Sequence, residues 1–397
     1  MITADARGAD PVLDRLGFER RHLSPAARAA LERMSEVIAS HLEPLMADAW
    51  DRAVMPADVI ERLAPLGLME PEGVSAEEAG STMYSGLRNF RLARADASIA
   101  TMYNAQSGLF RAAVRHGGSA EQAAEWDPQV RRFELTGVFA LTEPDHGSDV
   151  AGGLATRARR DGDEWVLDGA KRWIGGADTA DVIAVFARDE ADGQVKCFLV
   201  EREAEGMTID IIRRKVSLRP MQNAHITLDG VRVSERMRLQ NVNSWRDVAG
   251  LLRGMRSDVA FLAAGVAAGA LDAALRYTRD REQFGRPIAS FQLIQEKLAR
   301  MLGNATSALS LACELAAAQD GGEWNDENAA LAKMVTAERA RENGALAREV
   351  LGGNGIVLDN DAARFFADAE AVYSYEGTHE VNALIIGRSL TGVSAFV

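Results

Sequence analysis

The chain has 397 residues, 47% of them hydrophobic and only 10 of them proline, so it can bury a sizeable core in roughly two or three domains and is neither disordered nor low in complexity. Its net charge of -13, from 45 basic against 58 acidic residues, argues against nucleic acid or an anionic membrane as the main partner. Anionic small ligands must then be held by local cations.

Two cysteines, Cys197 and Cys313, sit in unlike contexts and point to a reducing compartment without a metal site. Residues 1–11 carry charges and no apolar core, no run approaches the roughly 18 apolar residues of a membrane helix, and the final S-A-F-V is no peroxisomal address. The expectation is a soluble cytoplasmic protein.

Taken in order, residues 1–130 read as helical. Ser24 and Pro25 offer an N-cap and first-turn proline before Leu31, Met34, Ile38 and His41 at helix spacing. Met83, Leu87 and Phe90 repeat the period, and the segment from Ala97 to Val114 is apolar enough for a helix buried on most sides. Near Phe133 the pattern changes to short runs rich in Val, Ile and Phe, separated by glycine or aspartate. Trp165 to Leu167, Val182 to Phe186, Val195 to Val200 and Ile226 to Leu228 are its strands, and the module ends around Leu239. From Ser244 long helices return, with Met255, Val259, Leu262 and Val266 on one face and Ile294, Leu298 and Met301 on another. A further helix is expected over Leu331 to Leu351, then short ones around Asp361 and after Gly377. The fold class is mainly α with a central β domain: helical over 1–130, β over 131–240, helical over 241–397.

Five stretches stand out chemically. L-T-E-P-D-H-G-S-D over residues 141–149 is dense in turn formers and hydroxyls, which suits either an ordinary β-module loop or one wrapped around a polar ligand. K-R-W-I-G-G over 171–176 offers an indole beside a permissive backbone, either a core tryptophan before a bulge or a platform for a planar ring. D-R-E-Q-F-G-R-P over 280–287 is a charged turn or a pair of guanidinium forks for phosphate. L-G-G-N-G over 351–355 follows a helix instead of a strand, so it is no Rossmann fingerprint; its glycines end the helix or admit a phosphate to backbone amides. In Y-S-Y-E-G-T-H-E over 373–380, Glu376 stands between Tyr375 and Gly377, where an apolar pocket would raise its proton affinity toward that of a base for C–H chemistry. His146 and His379 have no spaced second ligand or nucleophile partner.

In this order and architecture, the motifs closely resemble the acyl-CoA dehydrogenase family of FAD flavoproteins over nearly the whole chain. The run Q-L-I-Q-E-K-L-A-R-M-L from Gln292 and the ending Y-E-G-T-H-E-V-N-A-L-I-I-G-R-S-L-T-G are most similar to the branch containing glutaryl-CoA dehydrogenase and plant short-chain acyl-CoA oxidase. The resemblance implies an N-terminal helical domain, a middle β-barrel domain and a C-terminal four-helix bundle.

It also implies roles. Glu376 matches the base that removes the α-proton of an acyl thioester while the β-hydrogen leaves as hydride to the flavin, and its own backbone N–H helps hold the thioester oxygen. Phe139, Leu141, Thr142 and Ser148 match positions lining the flavin, Ser148 also facing the pantetheine, and Trp173, Ile174 and Gly175 lie beside the ring. Arg281, Phe284, Gln292, Leu351, Gly352 and Gly353 match FAD contacts, several made across to a neighbouring subunit, which implies a homotetramer. Thr378 and Glu380 match further flavin contacts; Arg256 matches the CoA-side arginine, and Tyr375 and Gly377 flank the substrate. No metal is implied.

Two departures shape the expectation. Gly175 stands where most relatives have a threonine whose hydroxyl reaches flavin N5, as in the plant oxidase-like sequences. Ala100 and Thr101 stand where glutaryl-CoA dehydrogenase has the Arg-Ser pair that grips a distal carboxylate, and a buried carboxylate without its counter-charge costs several kcal/mol. The expected function is therefore α,β-dehydrogenation of a short, uncharged acyl-CoA, with electrons passed to an electron-transfer flavoprotein. The alternatives are an oxidase using O2, a glutaryl-CoA-type enzyme, a dehydrogenase for acyl groups tethered to a carrier protein, and a non-catalytic binding protein, which the intact Y-E-G-T speaks against.

Overall fold

Ser24 caps the helix Pro25–Val37 as expected, its Oγ accepting from the Ala27 N–H at 3.1 Å. Leu31, Met34 and Ile38 are buried, but His41 is exposed. The chain widens into a π-type turn over Ile38–Leu42, and the extra residue hands the inward position to Leu42. The computed structural model describes residues 10, 12–323 and 325–395. The expectations drawn from residues 1–11 and from the last four fall largely outside these.

Two further helices approach the future site. Thr82–Ala95 is capped by Ser81 and buries Met83, Leu87 and Phe90. Asp96 starts Ala97–Asn104 by accepting from the Ser98 and Ile99 N–H groups at 2.8 and 3.1 Å. The apolar segment expected from Ala97 to Val114 then loosens into π-type turns over Ala105–Phe110 and Ala113–Gly117.

The helix Trp245–Asp280, 36 residues long, is the axis of the molecule. Thr82–Ala95, Gln292–Asp320, Asp326–Val350 and Ala362–Ser374 all pack against it. With a mean hydropathy of 1.6 in its most apolar window it is long and apolar enough to span a bilayer, contrary to the reading that no run is; its apolar surface instead faces these helices. Close approach is built into it: a Cβ at Gly265 would lie 2.3 Å from the Phe90 carbonyl oxygen. The helix expected over Leu331 to Leu351 begins earlier, at Asp326, because Asn325 caps it by accepting from the Glu327 and Asn328 N–H groups.

Between these helical parts lies a curled seven-stranded sheet. Its strands are β1 (Gly137–Ala140), β2 (Arg157–Asp161), β3 (Glu164–Gly175), β4 (Val182–Asp189), β5 (Val195–Glu201), β6 (Met207–Ile211) and β7 (Asn223–Ser234). The central strand β4 carries antiparallel β5 on one side; on the other, parallel β1 and β2 follow one another along its length. β3 bends at two irregularities in its pairing with β7, between Leu167 and Gly169 and between Arg172 and Ile174. The second places Trp173.

One contact ties the sheet to the helices. Leu218 and Met221, on the loop before β7, belong to the main helical core, and the Leu218 N–H donates to Asp368 Oδ1 at 2.6 Å on the helix Ala362–Ser374. The strand end at Gly175 and the helix leading to Glu376 are thus fixed to one another through Met221, Leu218 and Asp368.

Candidate functional site

The helix Ala362–Ser374 ends with Tyr375 in an extended conformation, Glu376 at φ 55° and Gly377 at φ 90°, before Thr378 starts His379–Thr391 by accepting from the Val381 N–H. A left-handed glutamate is uncommon and is kept only where its surroundings fix it. The fixing group is Lys333. Its fully buried Nζ donates to the Tyr373 carbonyl at 2.7 Å and to the Gly377 carbonyl at 2.9 Å, bracketing the turn. His379 stacks on Tyr373 at 4.8 Å and reaches Glu338, which gives it a place in the same turn.

Glu376 is partly open to solvent yet densely surrounded by protein. Burial pushes its carboxyl up to about 7; Arg256 and Lys333 oppose the shift, and Asp258 adds to it. Burial also lowers Lys333 to about 8, with Glu376 and Glu380 holding its charge in place. Arg256 lies at the edge of this group, 3.8 Å from Asp326. The Tyr375 hydroxyl is buried near Thr101 and has no hydrogen-bond partner among the described residues, and burial raises it. Ala100 is buried, and Thr101 donates to the Ala97 carbonyl at 2.7 Å.

The loop after β1 and the end of β3 form the second part of the site. Glu143 and Lys171, both buried, pair at 2.8 Å; Lys171 also donates to the Leu141 carbonyl, and Glu143 accepts from the Ala155 and Thr156 N–H groups at 2.6 and 2.9 Å. Burial works against the Glu143 carboxylate, but Lys171 and these hydrogen bonds together bring it below its usual range. Burial brings Lys171 down to about 8, partly offset by Glu143. The Arg172 N–H donates to the Thr142 carbonyl at 2.8 Å, so the loop lies against the strand. Phe139 packs its ring on Phe186 at 4.5 Å. Leu141 and Ile174 are buried, Thr142 is half-buried, and Ser148 is exposed beside the His146–Asp149 pair, whose contact raises the histidine.

Trp173 is the presented side chain. It has φ 67° and is 52% exposed, with Arg172 over its ring at 5.1 Å and its carbonyl held by Asn223 Nδ2 at 3.1 Å. At Gly175 the space a side chain would need is filled: a Cβ there would lie 2.4 Å from Met221 Cε.

The remaining sequence candidates lie at another end. Arg281, Phe284, Gln292, Gly352 and Gly353 are exposed and Leu351 is buried; Phe284 has φ 53° and is 93% exposed. Arg281 and Leu351 line a cleft of about 390 Å³ with Tyr277 and Asn354. Gly352, at φ 59°, ends the helix Asp326–Val350. Glu380 is exposed in the first turn of the last helix, where its own backbone N–H and Thr378 hold its carboxyl low.

The Acyl-CoA dehydrogenase N-terminal domain matches residues 24–134, the middle domain 138–231 and the C-terminal domain 245–391. The chain belongs to the acyl-CoA dehydrogenase family. This acyl-CoA dehydrogenase is 31% identical over 356 residues to the short-chain specific acyl-CoA dehydrogenase, mitochondrial, of Mus musculus, covering 88% of this chain and 86% of that one. Among solved structures it is similar to glutaryl-CoA dehydrogenase from Mycobacterium smegmatis, with a TM-score of 0.88, 35% identity, and 97% and 99% of the two chains covered. A glutaryl-CoA dehydrogenase of the same organism in complex with FADH2 gives a TM-score of 0.90 at 31% identity, covering 98% of this chain and 100% of that one.

FAD is the cofactor of this acyl-CoA dehydrogenase. The residues present fit it. An exposed indole stands at a strand end, and an exposed arginine lines a cleft beside the helix-ending glycines, a set suited to a planar ring and a diphosphate. Sequence reasoning missed Lys333, Asp258 and Met221, which carry no motif, and the pairing of Glu143 with Lys171, which joins two of the motifs. For Lys333 a signal existed, since it falls on the apolar face shared by Ala329, Ala330 and Ala337, where a lysine must find buried acceptors.

Proposed function

We propose that this acyl-CoA dehydrogenase removes the α-proton of a short-chain acyl-CoA with Glu376 and yields the trans-2-enoyl thioester, passing electrons to an electron-transfer flavoprotein. The observation that carries the reading is a carboxylate raised to about 7, held at φ 55° by a buried lysine. Such a group is half ionised near neutral pH, which is where a general base best combines availability with proton affinity.

Bound FAD supplies the acceptor for the β-hydride. The chain's own contribution is positioning and charge. Lys333 fixes the backbone on both sides of the base, so the Glu376 carboxylate meets the α-carbon from one direction. The same cation and Arg256 keep a share of the base ionised against burial. Trp173 offers its indole face to a planar ring, while Lys171 and Glu143 hold the loop bearing Leu141 and Thr142 against that strand. Ser148, Arg256, Tyr375 and Gly377 are proposed as substrate contacts, with Thr378 and Glu380 beside the cofactor. Arg281, Phe284, Gln292, Leu351, Gly352 and Gly353 are proposed to hold FAD across a subunit boundary. The exposure of Phe284, Leu293 and Ile356 on those segments supports an oligomer, read as a homotetramer.

A panel of CoA thioesters tests this, each mixed with the yellow enzyme under nitrogen and then in air. Flavin bleaching by short saturated thioesters, persisting until an electron-transfer flavoprotein is added, is the expected result. Rapid reoxidation by air with peroxide release would select the oxidase reading, which Gly175 favours; bleaching by no thioester would remove the proposal.

A further inference from the structure

The helices Thr82–Ala95, Ala97–Asn104 and Trp245–Asp280 meet around a polar cluster that proton removal does not use. Fully buried Asn89 donates through Nδ2 to Asn104 Oδ1 and to Asp258 Oδ1, both at 3.0 Å. That leaves Asn104 Nδ2 and Asp258 Oδ2 without a hydrogen-bond partner among the described residues, although Asn104 is only 5% exposed. Gly108 lets both side chains pack against its backbone: a Cβ there would lie 2.7 Å from Asn104 Oδ1 and 2.8 Å from Asp258 Oδ2, so carboxamide and carboxylate are neighbours. Arg88, also buried, leans its charge toward Asp258 while its guanidinium is held by Ser107 Oγ at 3.0 Å and lies over the Tyr103 ring at 5.0 Å. The cluster lies on the elements that flank the base: Asp258 follows Arg256 on the helix Trp245–Asp280 and opposes the ionisation of Glu376, and Asn104 lies one turn after Thr101, the neighbour of Tyr375, on the helix Ala97–Asn104.

Building on the dehydrogenation reading above, we propose that Asp258 and Asn104 form a subsite for a hydroxyl group on the acyl chain, which makes a hydroxyacyl-CoA the preferred substrate class. An unpaired donor on buried Asn104 and an unpaired acceptor on half-buried Asp258, on neighbouring side chains, call for a ligand group that does both. A hydroxyl donates to Asp258 Oδ2 and accepts from Asn104 Nδ2. An alkyl end satisfies neither atom, an ammonium satisfies the carboxylate but not the amide, and a second carboxylate is repelled by Asp258. The same logic explains how a chain with Ala100 in place of a carboxylate-gripping arginine still carries a polar pocket wall.

The test compares isosteric pairs, 4-hydroxybutyryl-CoA with pentanoyl-CoA and 5-hydroxypentanoyl-CoA with hexanoyl-CoA, by anaerobic flavin reduction in the holoenzyme. In one pair the hydroxylated member should exceed its alkyl isostere in kcat/KM by at least about tenfold, because a site built to bond a hydroxyl rejects the analogue that lacks it. D258V should abolish that preference. Equal rates or an alkyl preference in both pairs would overturn the proposal with no variant needed, and would mean that water fills the subsite; a preference that survives in D258V would overturn it too. If no thioester of either pair reduces the flavin, the dehydrogenation reading fails and this subsite with it.

Discussion

Lys333 Nζ lies 2.9 Å from the Gly377 carbonyl oxygen and 2.7 Å from that of Tyr373, so a single buried ammonium spans the turn that carries Glu376. It acts on the base in two ways, by fixing a left-handed backbone and by lending positive charge.

Replacing it separates the two. In K333M the base loses a cation that favours its ionised form, so the acidic limb of the kcat/KM profile should move to higher pH. K333R keeps the charge and should move it less. Profiles measured with one short thioester decide the point: a limb that stays put in K333M would mean the lysine serves folding alone.

The raised carboxyl of Glu376 also links activity to stability. Its folded value of about 7 exceeds the 4.5 of an ordinary glutamate, so between those values the folded state holds more protons than the unfolded one, and this group's contribution to stability falls as pH rises through that window. E376Q, which cannot ionise, should therefore melt above the parent at pH 8 and level with it near pH 4.5. Melting curves at the two pH values check this; a gain present equally at both would contradict the shift.

Glu143 and Lys171 pair out of contact with water, and losing one partner strands the other. K171M should cost about 3 to 5 kcal/mol, the usual penalty for an uncompensated buried charge, and should weaken FAD retention because the loop bearing Leu141 and Thr142 loses its tether. Denaturant titration and flavin content after gel filtration report the two effects. A variant with parental stability would show that water already reaches the pair.

Gly175 faces the thioether end of Met221. A threonine there would set its Cβ 2.4 Å from Met221 Cε, so G175T should lose about 1 to 3 kcal/mol by overpacking. The double variant with M221A should recover most of it. Equal losses in the single and double variants would show that the thioether is not the obstacle.

Much of this was legible in the sequence, for identifiable reasons. The helix cap at Ser24, the apolar faces of the long helices and strands β3, β4, β5 and β7 follow from local sequence signals, whereas the cap at Asn325 was passed over. Strands β2, reading R-A-R-R-D, and β6, reading M-T-I-D-I, escaped because exposed or half-exposed strands carry few apolar residues, and their pairing is set by β3, β4 and β7. The π-type turns after Ile38 and Asn104 depend on a backbone widening that no side-chain pattern announces. In the site, motif residues were visible because they repeat a known order. Lys333, Asp258, Asn104 and Met221 act through tertiary proximity across 40 or more residues of chain, which spacing along the sequence does not encode.

The central claim is that Glu376 takes the proton, and single-turnover flavin reduction in E376Q tests it most directly. The variant should bind FAD and stay yellow, while its reduction by a short acyl-CoA under nitrogen slows by about a thousandfold, within the usual contribution of a positioned base. Reduction at the parental rate would contradict the account.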